Sequence, residues 1–114
     1  MNSCMKSYNE LASWLETKGI GSYLQSPDQM VISAENPAMP RSNCFWVTFR
    51  KGNWYVVTWS PAAYCVPVAQ DIREVCESVF RSSEIAIYTV APELVERFGL
   101  RRLTDNEMGE AGLV

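Results

Sequence analysis

Residues 43–60, NCFWVTFRKGNWYVVTWS, decide the fold class of this chain, because they have the composition of two strands joined by a tight turn. β-branched and aromatic residues fill both halves of the stretch, and Lys51, Gly52 and Asn53 separate them. Residues of the first kind favour strands, whereas Gly and Asn favour turns. The stretch therefore predicts a β-hairpin, and the other predicted elements lie on either side of it.

The length of the hairpin loop determines which side chains share a face, because a slip of one residue swaps the faces of one strand. A loop of Gly52 and Asn53 alone sets Phe49 opposite Val56. A loop of Lys51, Gly52 and Asn53 gives one coherent apolar face, and we therefore predict it, with Asn53 in the left-handed conformation. That face consists of Phe45, Val47, Phe49, Tyr55, Val57 and Trp59.

The opposite face of the predicted hairpin holds the candidate partner-binding residues. It consists of Cys44, Trp46, Thr48, Arg50, Trp54, Val56 and Thr58. In this register Arg50 lies opposite Trp54, which allows a cation–π contact. Trp and Arg are also enriched in binding hot spots. We expect Trp46, Arg50 and Trp54 to contact a protein partner or a second copy of the chain. The alternative is that the 34–42 loop or the C-terminal tail covers this face.

Apolar residues at helical spacing predict two amphipathic helices, over residues 3–18 and 68–81. Gly19 ends the first helix in the left-handed conformation. In the second, Val68 and Cys76 belong to the apolar stripe, and we interpret Cys76 as a small buried residue. A short third helix begins at Pro92. Further strands are predicted over residues 22–25, 29–33, 62–66, 84–90 and 100–103.

Strands in the middle of the chain with helices towards both ends predict the α+β class. We expect a single antiparallel sheet of about five strands, two amphipathic helices packed on one face, and a short C-terminal helix. Residues 1–104 form one globular domain in this interpretation, and residues 105–114, which lack periodicity, form a flexible C-terminal tail. This layout resembles that of bacterial immunity proteins and specialised secretion chaperones, although no residue motif accompanies the resemblance.

Composition narrows the classes of partner. The formal net charge is -3 and no basic stripe is present, so we expect no nucleic-acid partner. No apolar run approaches the ~20 residues that span a bilayer, so we expect no membrane role. The first residues lack a signal-peptide hydrophobic region, and the four cysteines form no CxxC pair. The sequence therefore predicts a cytoplasmic protein with reduced thiols, and neither a metal nor a cofactor.

Histidine is absent from the chain, which excludes His-dependent nucleophiles, His general bases and His-ligated zinc. The sequence therefore favours a non-enzymatic, protein-binding module. The alternative is a small-ligand-binding domain or weak enzyme, with a pocket between the sheet and the 34–42 loop, AENPAMPRS. That loop is longer than most connections. Arg41 and Cys44 lie at its end and are the candidate pocket residues.

Overall fold

The computed structural model describes residues 3–33, 45–58, 62–82 and 89–113, which form a six-stranded antiparallel sheet and four helices. The elements are α1 (Ser3–Thr17), β1 (Gly21–Ser26), β2 (Gln29–Ser33), β3 (Phe45–Arg50), β4 (Asn53–Val57), β5 (Ala63–Val66), α2 (Ile72–Arg81), α3 (Pro92–Phe98), β6 (Arg101–Arg102) and α4 (Asp105–Glu110). The strands lie in the sheet in the order of the sequence. The predicted α+β class is confirmed, with one strand more than expected.

The first helix and the first strand pair agree with the prediction. Gly19 has a φ of 76°, and the amide of Ile20 donates to the carbonyl of Leu15 at 3.0 Å, so the helix ends in a left-handed glycine motif. Ser26 pairs with Gln29, which leaves Pro27 and Asp28 as the turn between β1 and β2. These local turn signals therefore determine the first three elements.

The β3–β4 hairpin has a two-residue turn, Lys51-Gly52, since Arg50 pairs with Asn53. The φ angles of Lys51 and Gly52 are 52° and 82°. Two successive positive φ angles are the pattern of a type I′ turn, whose twist matches that of the flanking strands. Both loops considered from the sequence are therefore wrong, and Asn53 is the first residue of β4 rather than the left-handed turn residue.

This register also corrects the predicted faces of the hairpin. Phe49 pairs with Trp54 and Val47 with Val56, whereas Trp46 pairs with Val57. Directly opposite residues point to the same face. Trp54 and Val56 therefore belong with Phe45, Val47 and Phe49, while Tyr55 and Val57 belong with Trp46. The predicted single apolar face is wrong, and both faces of the sheet contribute to the core.

The first face of the sheet packs against α1, α2 and α3 and forms the main core. Its largest fully buried side chains are Tyr8, Leu11, Leu15, Ile20, Met30, Ile32, Phe45, Val47, Val56 and Val75. The packing of the two amphipathic helices on one face is therefore as predicted. Cys76 is also fully buried here, and burial raises the pKa of its thiol. The thiol consequently stays protonated and behaves as a small apolar group.

The second predicted helix begins later than expected. Asp71 is its N-cap, and its carboxylate accepts from the backbone amide of Arg73 at 2.9 Å, so α2 starts at Ile72 instead of residue 68. Val68 therefore precedes the helix, outside the apolar stripe, and is 82% exposed. The error arose because the apolar spacing extends past the capping residue.

Some predictions fall outside the described residues. These are the 34–42 loop, Arg41, Cys44, Trp59 and most of the strand predicted over residues 84–90. None of the helices in the described ranges is long and apolar enough to cross a membrane.

Candidate functional site

The second face of the sheet carries a row of side chains around Trp46. Pairing across the strands places Tyr23, Val31, Trp46, Val57 and Ala63 side by side, and we call these five residues the Trp46 row. Four of them are buried, and Trp46 is only 7% exposed. Tyr23, at the β1 end, is 56% exposed. The row is therefore covered over most of its length.

The C-terminal segment, Thr104–Leu113, covers this row. Met108 and Leu113 are both buried and pack in one apolar cluster with Val31, Trp46, Val57, Ala63 and Leu103. The flexible tail predicted from residue 105 is therefore wrong for the described residues 105–113. The alternative considered from the sequence, that the C-terminus covers the face, describes the structure better. This second core is separate from the main core on the other side of the sheet.

Local sequence explains why the C-terminal segment folds. The Thr104 hydroxyl accepts from the amide of Glu107, and the Glu107 carboxylate accepts from the amide of Thr104, which is a capping box. At the other end Gly112 has a φ of 72°. The amide of Leu113 donates to the carbonyl of Met108 at 2.8 Å, and that of Gly112 to Gly109 at 3.1 Å. This Schellman motif brings Leu113 next to Met108.

Arg50, at the end of β3, connects the C-terminal segment to the β1–β2 turn. One guanidinium nitrogen, Nη2, lies 2.7 Å from Oδ2 of Asp28 in the β1–β2 turn, and the other, Nη1, donates to the carbonyl of Ala111. The side chain is 23% exposed. Charge-assisted hydrogen bonds in such a partly buried position are stronger than those of a surface pair. Arg50 therefore holds three parts of the chain together and does not form the predicted cation–π pair with Trp54.

Glu107 is the second polar attachment of the segment. Its carboxylate lies 2.7 Å from Nη1 of Arg101 on β6. The hydrogen bond from the Thr104 amide, followed by that from Arg101, holds the pKa of Glu107 below its ordinary value. The charged form of Glu107 is therefore the one that the folded segment prefers.

This pKa shift predicts an acid-dependent loosening of the C-terminal segment. A carboxylate whose pKa is lower in the folded state stabilises that state above its unfolded pKa, and the contribution disappears as the pH falls through the folded value. We expect amide exchange of Met108 and Leu113 to accelerate below the ordinary pKa of 4.5, after correction for the intrinsic exchange rate. Glu107→Gln retains an acceptor for the Thr104 amide and should abolish this pH dependence. Persistence of the effect in Glu107→Gln would assign it to another carboxyl, such as Asp71.

The two glycines of the segment offer a matched pair of substitutions. Gly112 has a positive φ, and an added Cβ would lie 2.8 Å from Nη1 of Arg50, whereas a Cβ at Gly109 meets nothing within 4 Å. Gly112→Ala should therefore lower the free energy of unfolding by about 1–2 kcal/mol, the usual cost of left-handed backbone. Gly109→Ala should raise it by about 0.5–1 kcal/mol, because Ala favours a helix interior. Urea denaturation of both variants measures the difference. Equal effects would contradict the left-handed conformation of Gly112 and its close approach to Arg50.

Trp54 lies on the opposite face of the sheet from Trp46. Its ring makes an edge contact with Tyr8 at 5.4 Å between centroids and a tilted contact with Phe49 at 5.0 Å. It is half-buried and lines two clefts, one towards α1 and one beside the turn that precedes α2. The structure therefore does not bring the three predicted partner-binding residues together, because Trp54 lies on the first face of the sheet, whereas Trp46 and Arg50 lie on the second.

The cleft beside the turn that precedes α2 is the more apolar of the two that Trp54 lines. It has a volume of about 310 Å³ and lies where the β3–β4 turn meets the chain before α2. Its apolar lining residues are Phe49, Trp54, Val66, Pro67, Val68 and Ile72. Val68 projects from its rim into solvent. Apolar spacing alone places Val68 in the helix, whereas Asp71, as the N-cap of α2, is the sequence signal that Val68 lies before the helix.

In residues 3–33, 45–58, 62–82 and 89–113, no three His, Cys, Asp or Glu side chains are placed to hold a metal ion. Comparison of the chain with protein-family models, with curated proteins and with solved structures found no match.

Proposed function

We propose that this chain is a small, cytoplasmic, non-enzymatic protein-binding module that contacts its partner through the surface around Trp54 and Val68. The observation that carries the proposal is the 82% exposure of Val68 beside a half-buried Trp54. Trp is enriched among the residues that contribute most to binding at protein interfaces, and here it lies in a cleft that an exposed aliphatic side chain also lines. Of the three partner-binding residues predicted from the sequence, Trp54 is the one retained.

The rim of this surface is polar, as expected of a protein interface. Gln70 and Asp71 line the same cleft as Val68. Glu10 and Arg73 line the cleft on the other side of Trp54, and Arg73 is held by an ion pair of 2.9 Å with Asp71. An apolar centre with fixed charges around it supports the binding of a protein surface with one apolar anchor. The partner is another protein or a second copy of this chain.

The thiols support the proposed cytoplasmic location. Cys65 and Cys76 are free, and Cys76 lies in the main core. Reduced cysteines are typical of proteins in reducing compartments.

Site-specific photo-crosslinking tests the proposed surface. A photo-reactive amino acid, p-benzoylphenylalanine, is placed at position 68 in one variant and at the exposed position 96 on α3 in a control variant. Irradiation in cells of the source organism should give a discrete adduct from position 68 alone, and mass spectrometry of the adduct distinguishes a different protein from a second copy. Identical products from both positions, or none from position 68 in a folded variant, would overturn the proposal.

The alternative function, a small-ligand-binding domain or weak enzyme, depends on Arg41 and Cys44. Its cheapest test is the reaction rate of the Cys44 thiol with a thiol reagent at neutral pH. A rate equal to that of a model thiol would rule out an enzyme that uses Cys44 as its nucleophile.

A further inference from the structure

We infer that β1 is an open edge of the sheet and pairs antiparallel with β1 of a second copy of the chain, so that the two sheets join into one. The two-fold axis of this pair passes beside Tyr23. The inference concerns the edge of the sheet and does not depend on the surface around Trp54 and Val68. Backbone groups that the described chain leaves without a partner carry it.

The outer side of β1 is unpaired in the part of the chain that the structure describes. β1 is a terminal strand of the sheet and pairs with β2 alone. Among the described residues, no other backbone hydrogen bond reaches Gly21–Ser26. An edge strand presents a row of amides and carbonyls on its outer side, and these groups are a template for a further strand. The chemistry of this edge therefore calls for an extended backbone as its partner.

The two edges of the sheet differ in how they limit such pairing. β6 has two residues, Arg101 and Arg102, and both are exposed. Short edge strands and edge charges are the usual protection against pairing with another chain. β1 has six residues, GSYLQS, and none of them is charged or a proline. One edge of the sheet is thus protected, and the other is open.

The side chains of β1 also favour the addition of a strand. In the described ranges three large apolar side chains are exposed, and two of them, Tyr23 at 56% and Leu24 at 38%, are neighbours on β1. Tyr23 lies at the end of the Trp46 row, whereas Leu24 lies beside Met30 on the face of the main core. A strand added at this edge therefore covers one apolar side chain on each face of the sheet.

A second copy of β1 fits this edge. When a strand pairs antiparallel with its own copy, the residue on the axis faces itself, and a charge there faces a like charge. β1 carries no charge, so this cost is absent. Its register with β2 shifts between Leu24 and Ser26, which leaves Gly21–Leu24 as the regular part of the strand. An axis at Tyr23 lies within this part and sets the two Tyr23 rings opposite each other, with Ser22 opposite Leu24.

This pairing stops at two copies. After it forms, both outer edges of the joined sheet are β6, which is the protected edge. A contact that uses the same patch on both copies gives a closed dimer instead of a fibre. The Trp46 rows of the two copies then become continuous through Tyr23.

Sedimentation equilibrium and amide exchange of the unmodified chain test the inference, over a concentration range of about 10 μM to 1 mM. We expect a dimer whose fraction rises with concentration. As it forms, at least one amide of Ser22–Leu24 that exchanges freely in dilute protein should become protected. A chain that is monomeric at the highest concentration, or a dimer without new protection in β1, would overturn the inference. A monomer would leave an extended segment of a different protein as the partner for this edge.

Charge variants test the position of the axis. Tyr23→Lys and Tyr23→Glu each place like charges opposite one another and should lower the association constant by about tenfold or more. An equimolar mixture of the two should associate again, because opposite charges then face each other. Val68→Lys changes the third exposed apolar side chain and should leave association unchanged. A mixture that stays monomeric contradicts pairing at Tyr23, and a loss confined to Val68→Lys assigns association to the surface around Trp54 instead.

Discussion

Trp46→Ala is expected to lower the free energy of unfolding by about 3–5 kcal/mol, the usual range for truncation of a buried Trp. Trp46 is 7% exposed and packs with Val31 and Val57 beneath the C-terminal segment. Its removal leaves a cavity in the second core, where the covering segment has few other apolar contacts. Urea denaturation followed by far-ultraviolet circular dichroism measures the change.

Trp14→Ala is the control for this substitution. Trp14 is half-buried on α1, with Nζ of Lys18 5.2 Å and Cζ of Arg73 5.7 Å from its ring centroid. We expect its truncation to cost about 1–2 kcal/mol, from the loss of a partial apolar contact and exposed cation–π interactions. A Trp46→Ala effect no larger than that of Trp14→Ala would mean that the second face is bare.

Tyr8→Phe is expected to lower the free energy of unfolding by about 1–3 kcal/mol, because it removes two partly buried hydrogen bonds to the backbone. The Tyr8 hydroxyl donates to the carbonyl of Asp28 at 2.9 Å and accepts from the amide of Phe49 at 2.8 Å. The pairing of β2 with β3 ends at Met30 and Val47. Beyond this pair, the Tyr8 hydroxyl binds the backbone groups of Asp28 and Phe49. Tyr8 thus connects α1 with the β1–β2 turn and β3.

The matched control is Tyr23→Phe, since Tyr23 is 56% exposed and its loss of a hydroxyl should leave stability unchanged. Thermal or urea denaturation of both variants is sufficient. If Tyr8→Phe is as neutral as Tyr23→Phe, the described hydroxyl contacts do not contribute to stability. A destabilised Tyr8→Phe variant that remains folded should show faster amide exchange at Phe49.

Strong local signals allowed most elements to be predicted from the sequence. Pro27-Asp28, Gly19 and Pro92 each determine the end or start of an element through their own backbone preferences. The hairpin was located correctly but its register was not. Lys51 adopts the left-handed conformation, although Lys seldom does so. A prediction that places Asn53 in this conformation shifts the register and assigns the side chains of β4 to the wrong faces. The error in one residue of the turn moved Trp54 to the wrong side of the sheet.

The C-terminal segment was missed for a different reason. Its two apolar anchors, Met108 and Leu113, are five positions apart, and the Schellman motif at Gly112 brings them together after the helix has ended. Helical periodicity therefore gives no signal here. The Thr104-Asp105-Asn106-Glu107 stretch matches a capping box and is the one local pattern that indicates a helix start. The attachment of Ala111 to Arg50 is a long-range contact that depends on the hairpin register.

Amide hydrogen exchange at Leu113 tests most directly the claim that the C-terminal segment is a folded cover on the Trp46 row. Its amide donates to the Met108 carbonyl at 2.8 Å, and its side chain is 6% exposed. We expect the Met108 and Leu113 amides to be protected at neutral pH, though less than the amides of β3, because β3 is paired with a strand on each side. Exchange of both amides at the rate of an unstructured peptide would show a free tail and contradict the account.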